Sequence, residues 1–258
     1  MLRQIEILII VCICANDSIA QSPQAVDSLL VNGIYFRGGV GHLAVRDQYI
    51  SDEKYSGSSV SFSLWWLRGN TSSAYRLGLD YVSSSNIRNN NVSAQLMQAA
   101  LNLDFLYSVR RFRLLEYDIF AYVGPAAEIF LYYRQQNIAN GGNAFFNAYS
   151  FAVFFSLSAN STLVIPLSSD LALESSVRIA LLSYAGRLAD LHDKNASFFK
   201  PVTIFSGLRG YTEFLIRYDL SKRFFLKSGY RFEICQSASW DYLLSASDNL
   251  VFILAVRI

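Results

Sequence analysis

Histidine, cysteine and charge are all scarce in this chain, and each scarcity closes off a class of function. Two His among 258 residues leave too few imidazoles for a conventional zinc site. Of three Cys, Cys12 and Cys14 fall in a leader-like segment, so Cys235 alone can build neither a disulfide framework nor a thiolate metal site. Charged residues make up 16% of the chain, against about 25% in soluble domains. The net charge of +2 is too small to argue for a nucleic-acid partner. Beyond the N-terminus there is also no uninterrupted apolar run of the about 18 residues that a spanning helix requires.

What is abundant is apolar and aromatic: 52% of residues are hydrophobic, with 16 Tyr and 19 Phe, and the mean hydropathy is +0.25. A chain this hydrophobic without spanning helices points to the other structure that satisfies its backbone in lipid, a closed β-barrel. Residues 1–20 read as a secretory signal peptide. Arg3 gives a weak basic start weakened further by Glu6, Ile7 to Ala15 form an apolar core, and Ser18 and Ala20 supply small residues for cleavage before Gln21. Cys12 follows Ile10 and Val11, which argues against a lipidated cysteine. Residues 21–32 are expected to be a short periplasmic segment and 33–258 the barrel.

Period-two alternation dominates the rest. Met97, Ala99, Leu101, Leu103, Phe105, Tyr107 and Val109 share one face, opposite Gln98, Ala100, Asn102, Asp104, Leu106 and Ser108. Leu173 to Leu181 and Phe224 to Phe232 separate in the same way, as expected where one face meets lipid and the other a lumen. Short turns are expected near Gly69–Ser72, Arg110–Phe112, Pro166–Asp170 and Asp219–Lys222. Longer polar loops are expected at Asp47–Gly57, Ser84–Val92, Gln135–Asn143, Ala185–Lys200 and Gln236–Asn249. Strands fall at 33–46, 58–68, 73–84, 94–109, 113–134, 144–165, 171–184, 203–218, 223–235 and 249–258, the fifth and sixth long enough to project as a hairpin. The expected fold is all-β: a transmembrane antiparallel up-and-down barrel of about ten strands, with eight and twelve as alternatives.

The terminal segment Leu250–Ile258 sets Phe252, Leu254, Val256 and Ile258 on one face. It resembles the C-terminal recognition strand of outer-membrane barrels, although it ends in Ile258 where that strand carries an aromatic. By pattern, residues 33–258 resemble the small outer-membrane β-barrel class of bacteria, including the Bacteroidetes-type barrel families. That resemblance implies an outer-membrane location after secretion. It also implies contact with outer-membrane lipid, lipopolysaccharide and the barrel assembly machinery, and an extracellular or envelope protein as a further partner.

The faces opposite the apolar ones carry the candidate lumen charges: Arg76, Asp80, Asp104, Glu116, Asp118, Glu128, Glu174, Arg178, Arg209, Glu213, Arg217, Lys227, Arg231, Glu233 and Arg257. Both signs occur in similar number, so they are expected to pair and plug a narrow lumen. A single-sign ring, which would announce ion selectivity, is missing. His192, Asp193 and Ser197 share one polar loop, where adjacent residues rarely hold the geometry that activates a nucleophile. His42 and Arg37 have opposite parity and share a face only if Gly38–Gly41 carries a bulge. Neither group makes a catalytic constellation, and no cofactor or metal is implied. Trp65, Trp66 and Trp240 are compatible with membrane-interface positions. Asn70, Asn91, Asn160 and Asn195 open glycosylation-like triplets that arise by chance in an Asn- and Ser-rich chain. The leading functional expectation is a structural, adhesive or partner-binding barrel acting through its external loops. A narrow channel for small polar solutes is the second reading, and a barrel hydrolase or lipid-modifying enzyme the third.

Overall fold

Alternating side chains over most of the chain produce strands that pair only with their sequence neighbours, and the sheet they form closes on itself. The computed structural model describes residues 30–48, 51–70, 72–89, 92–114, 117–137, 149–187, 199–238 and 242–258. The strands are β1 (Gly33–Asp47), β2 (Ser51–Gly69), β3 (Ser73–Arg88), β4 (Ser93–Leu114), β5 (Tyr117–Asn137), β6 (Tyr149–Pro166), β7 (Leu171–Arg187), β8 (Phe199–Thr203), β9 (Gly207–Asp219), β10 (Phe224–Ser237) and β11 (Leu243–Arg257). Every pairing is antiparallel, and β1 meets β11 without interruption from Gly33 opposite Arg257 to Asp47 opposite Leu243. β8 and β9 both pair with β7 and form a single stave, broken at Ile204–Ser206. The result is a closed antiparallel up-and-down barrel of ten staves.

The break in the eighth stave lies beside a bulge in β7. Ser158 pairs with Ala180 while Leu157 pairs with Leu182, which leaves Leu181 as the extra residue on β7. Both irregularities fall between the part of β7 that meets β9 and the part that meets β8.

Three expected long loops turn out to be mostly strand. β1 and β2 are joined at 48–50, β3 and β4 at 89–92, and β10 and β11 at 238–242. Residues 51–57, 84–88, 236–237 and 243–249, all within stretches that read as polar loop, are therefore strand. The turn expected at Arg110–Phe112 is also strand, because β4 runs on to Leu114 past a register shift at Ser108/Arg110. Long strands are not confined to the fifth and sixth: β4 has 22 residues and β2 has 19. A crossing of the bilayer needs about 9–11 residues, so the wall is much taller than a bilayer core. The expected turn at Gly69–Ser72 does close β2 to β3, where Asn70 Oδ1 accepts from the Ser72 and Ser73 amides at 2.9 Å.

The outer face is apolar below and more polar above. On four strands it turns polar at one level, from Val40 to His42 on β1, from Val60 to Ser58 on β2, from Met97 to Gln95 on β4 and from Leu250 to Asp248 on β11, whereas on β10 it stays apolar through Phe232 and Ile234. Below that level the exposed side chains are mostly apolar, such as Phe36, Phe62, Leu64, Leu79, Leu101, Phe105, Phe214 and Phe252, with Ser228 among them, and form a largely apolar belt.

The inner face is filled rather than hollow. One apolar cluster, including Leu43, Tyr55, Leu96, Phe130, Tyr132, Phe154 and Leu243, packs the upper lumen. A second, including Leu30, Tyr35, Trp65, Leu106, Phe225 and Ile253, packs the lower lumen. Leu30 belongs to the segment before β1, which is pinned below the barrel by Asn32. The Asn32 side chain donates to the Gly69 carbonyl at 3.0 Å and accepts from the Gly69 amide at 2.7 Å.

Candidate functional site

Between the two apolar clusters lies a chain of ion pairs that crosses the lumen. Arg76 meets Asp104 at 2.5 Å, and Arg178 bridges Asp104 to Glu128. Arg209 bridges Glu128 to Glu233, and Arg231 meets Glu233 at 3.1 Å. Arg231 also reaches Asp80 at 3.6 Å and Glu213 at 3.9 Å, the same two carboxylates that Arg37 holds at 2.5 and 2.7 Å. Five guanidinium groups and five carboxylates thus alternate with no net charge. They come from β1, β3, β4, β5, β7, β9 and β10, so no single hairpin contains the network.

Aromatic rings fix the planes of these arginines. Arg76 stacks over Trp65 at 4.5 Å, and Arg209 over Phe130 at 3.6 Å. Tyr211 receives Arg178 at 5.0 Å and Arg231 at 4.1 Å, and its hydroxyl accepts from Arg76 at 2.9 Å. Such contacts favour a guanidinium over an ammonium. Trp65 itself points inward, a correction to its expected interface position, and its Nε1 donates to Asp80 at 3.0 Å. The ring fits because Gly78 on β3 has no side chain; a Cβ there would lie 2.1 Å from the ring. Trp66 does face outward, edge-on to Tyr75, while Trp240 lies outside the described residues.

A smaller cluster closes the lower end. Glu174 accepts from Lys227 at 2.5 Å and Arg217 at 3.4 Å, and Asp219 pairs with Arg257 at 2.7 Å. At the upper end Arg187 pairs with Asp47 at 2.7 Å, the Tyr132 hydroxyl donates to Asp47 at 3.2 Å, and Arg134 stacks on Tyr55 at 4.0 Å. A cavity of about 60 Å³ remains between the ion-pair chain and the lower apolar cluster, lined among others by Arg37, Arg231, Glu213, Trp65 and Leu30. That is room for about two water molecules.

Of the charges expected in the lumen, Arg76, Asp80, Asp104, Glu128, Arg178, Arg209, Glu213, Arg231 and Glu233 lie in the central chain. Glu174, Arg217, Lys227 and Arg257 lie in the lower cluster. Asp118 does not join either group. It sits at the β4–β5 turn, where Arg111 donates to it at 2.7 Å and that hydrogen bond holds its carboxyl below the ordinary range. Glu116 lies outside the described residues, as do His192, Asp193 and Ser197.

Sequence reasoning missed Arg37, Asp47, Arg187 and Asp219. Parity could have found Arg37, since it alternates with Phe36 on a strand whose pairing is unbroken through Gly38–Gly41. With no bulge there, His42 faces outward and shares no face with Arg37. Asp47, Arg187 and Asp219 stood in stretches read as loop or turn. Asn160 is buried in the lumen and Asn70 caps a turn, so neither presents an open triplet; Asn91 and Asn195 lie outside the described residues.

Ten staves, an apolar outer belt and a polar, aromatic interior define a transmembrane-type β-barrel. No family model matches the sequence, and a search of curated proteins finds no similar chain. Among solved structures the chain is similar to the outer membrane protease OmpT from Escherichia coli, at 8% identity and a TM-score of 0.45 over 93% of this chain and 98% of that one. It is also similar to the β domain of the Bordetella autotransporter BrkA, at 12% identity and a TM-score of 0.43 over 88% of this chain and 100% of that one. Neisserial surface protein A matches at 11% identity and a TM-score of 0.38 over 87% and 97% of the two chains. Likeness at this level says nothing about activity.

Proposed function

We propose that this protein spans the bacterial outer membrane as a closed barrel and acts through its outward and upper surfaces, in a structural, adhesive or partner-binding role, rather than by conducting solutes. The observation that carries this reading is the filled lumen. An alternating chain of buried ion pairs lies between two apolar clusters, and Leu30 packs into the lower one. Buried charges of opposite sign satisfy one another and leave no field to draw an ion through. The apolar belt supports insertion in lipid, since a soluble barrel would expose polar side chains there. The polar wall above the belt rises beyond the bilayer and is the surface available to lipopolysaccharide or an envelope partner.

Planar-bilayer recording tests the reading on protein whose folding is first verified by its heat-dependent gel mobility. The expected record is silent. Discrete, reproducible current steps would replace this reading with that of a narrow channel.

A further inference from the structure

A second constellation lies on the outer face, unconnected to the lumen. Strand register sets His42 on β1 opposite Ser58 on β2 and opposite Asp248 on β11. A serine, a histidine and an aspartate therefore occupy one row across three adjacent strands, with the histidine in the middle. All three have outward parity, and His42 and Ser58 are exposed. Directly opposed residues hold their Cβ atoms about 4.5–5.5 Å apart, close enough for side-chain rotation to link hydroxyl, imidazole and carboxylate. The Asp248 carboxylate already lies against residue 42, accepting from its main-chain N–H at 3.1 Å.

Three independent features of the surroundings point to lipid chemistry. On these three strands the row is the first polar one above apolar outward residues, Val40, Val60 and Leu250, while on β10 the outward face stays apolar through Phe232 and Ile234. In a bilayer that is the depth at which acyl chains give way to ester linkages and head groups. Ser58 also sits at an irregularity. The β2–β3 pairing slips between Ser56 and Val60, so Gly57, Ser58 and Ser59 have no ladder partner on β3, and the Ser84 hydroxyl donates to the Ser58 carbonyl at 2.5 Å. Bulges of this kind re-aim side chains beside active sites. Finally, a groove of about 660 Å³ on the outer wall begins at Leu250, one pleat below Asp248. It continues past Tyr230, Phe214 and Leu173 to Leu163, a largely apolar trough on β6, β7, β9, β10 and β11, so that an acyl chain held at Ser58 would cross β1 to enter it.

We propose that Ser58, His42 and Asp248 hydrolyse a carboxylic ester of a membrane lipid whose acyl chain lies in this groove. The Ser58 hydroxyl attacks the ester carbonyl carbon as His42 takes its proton, and Asp248 holds and stabilises the resulting imidazolium. The carbonyl re-forms as the carbon–oxygen bond to the lipid alcohol breaks, and His42 returns the proton to that alcohol. Water then attacks the acyl-serine ester with His42 again as base. Fatty acid leaves and the serine hydroxyl is restored. The chemistry is the same for a glycerophospholipid and for an acylated glycolipid.

The test uses the folded full chain in mixed micelles with phosphatidylethanolamine or, in a parallel arm, purified lipid A, together with an alkyl fluorophosphonate probe. The expected result is a covalent adduct that peptide mass spectrometry places on Ser58, together with fatty acid release from at least one of the two lipids. Ser58→Ala abolishes both, and His42→Ala slows both by about 100-fold or more, as expected for loss of a general base. Ser56→Ala, one tier higher on the same face, leaves both unchanged and controls for folding. Absence of the adduct, absence of release from both lipids, or release that survives Ser58→Ala would each overturn the proposal.

Discussion

The barrel wall has two halves that look alike from inside and unlike from outside. Below the tier of Val40, Val60 and Leu250 the outward side chains are mostly apolar, and above it Lys54, Ser56, Ser58, His42, Arg46 and Gln95 join apolar ones such as Ile234 and Leu244. Inside, both halves are packed: Trp65, Phe225 and Ile253 below, Tyr55, Phe130 and Leu243 above, with the ion pairs between. The inward face is therefore set by the need to fill a narrow barrel, and it does not depend on what surrounds the wall. The outward face follows the surroundings, lipid below and water above, without a single sharp line. A substitution should accordingly be judged first by parity and only then by height.

The largest effect should come from the inner face. Arg178→Leu would leave Asp104 and Glu128 each short of a cation, and breaking a buried pair by removing one partner costs about 3–5 kcal/mol. The expected readout is a large fall in the urea midpoint, with loss of the heat-modifiable gel form. A fall no greater than that of an outward substitution would mean that the lumen is wetter than its packing implies.

The outer face separates by height. Leu101→Arg, within the belt, should destabilise by about 2–4 kcal/mol near the midplane. Gln95→Arg, on the same face of the same strand but above the belt, should cost about 0–1 kcal/mol. Equal costs, measured by urea titration in lipid vesicles, would remove the boundary between the two halves.

The smallest effect lies at the lower turn. Asp118 has its carboxyl held down in the folded state, so its stabilising contribution is present above the unfolded carboxyl range and fades as pH falls through the folded one. Both partners are about half exposed, with side-chain exposures of 50% and 40%. Asp118→Asn should therefore cost only about 0.2–1 kcal/mol at pH 7, and progressively less as the pH is lowered into the acid range, as urea midpoints measured along that series would reveal.

The same contrast explains what the sequence revealed and what it concealed. Met97 to Val109 and Phe224 to Phe232 alternate between apolar and polar, so their strands and their lipid-facing sides were legible. Above the belt both faces contain polar residues, and Ser51 to Gly57 or Gln236 to Ser237 then look like loop although they are ladder. Parity also sorted Arg178, Asp104 and Glu128 to one side of the wall. It could not pair them, because β7 meets β4 and β5 only across the lumen, at heights fixed by stagger and closure. Trp65 was misplaced for a related reason: the space for its ring comes from Gly78 on the neighbouring strand, and a single-strand pattern does not contain the neighbour.

The ion-pair chain also constrains the order in which the wall can be completed. Its members on β1 to β5, which are Arg37, Arg76, Asp80, Asp104 and Glu128, sum to −1, and those on β7 to β10, which are Arg178, Arg209, Glu213, Arg231 and Glu233, sum to +1. Arg37–Glu213, Arg178–Asp104, Arg209–Glu128 and Arg231–Asp80 all join one half to the other. An open sheet of the first five strands would carry an uncompensated negative charge into lipid, and the remaining strands a positive one. Neutrality arrives only when the two halves face each other. The seam between the first and last strands is thus where the balance of buried charge is completed, as well as the backbone ladder.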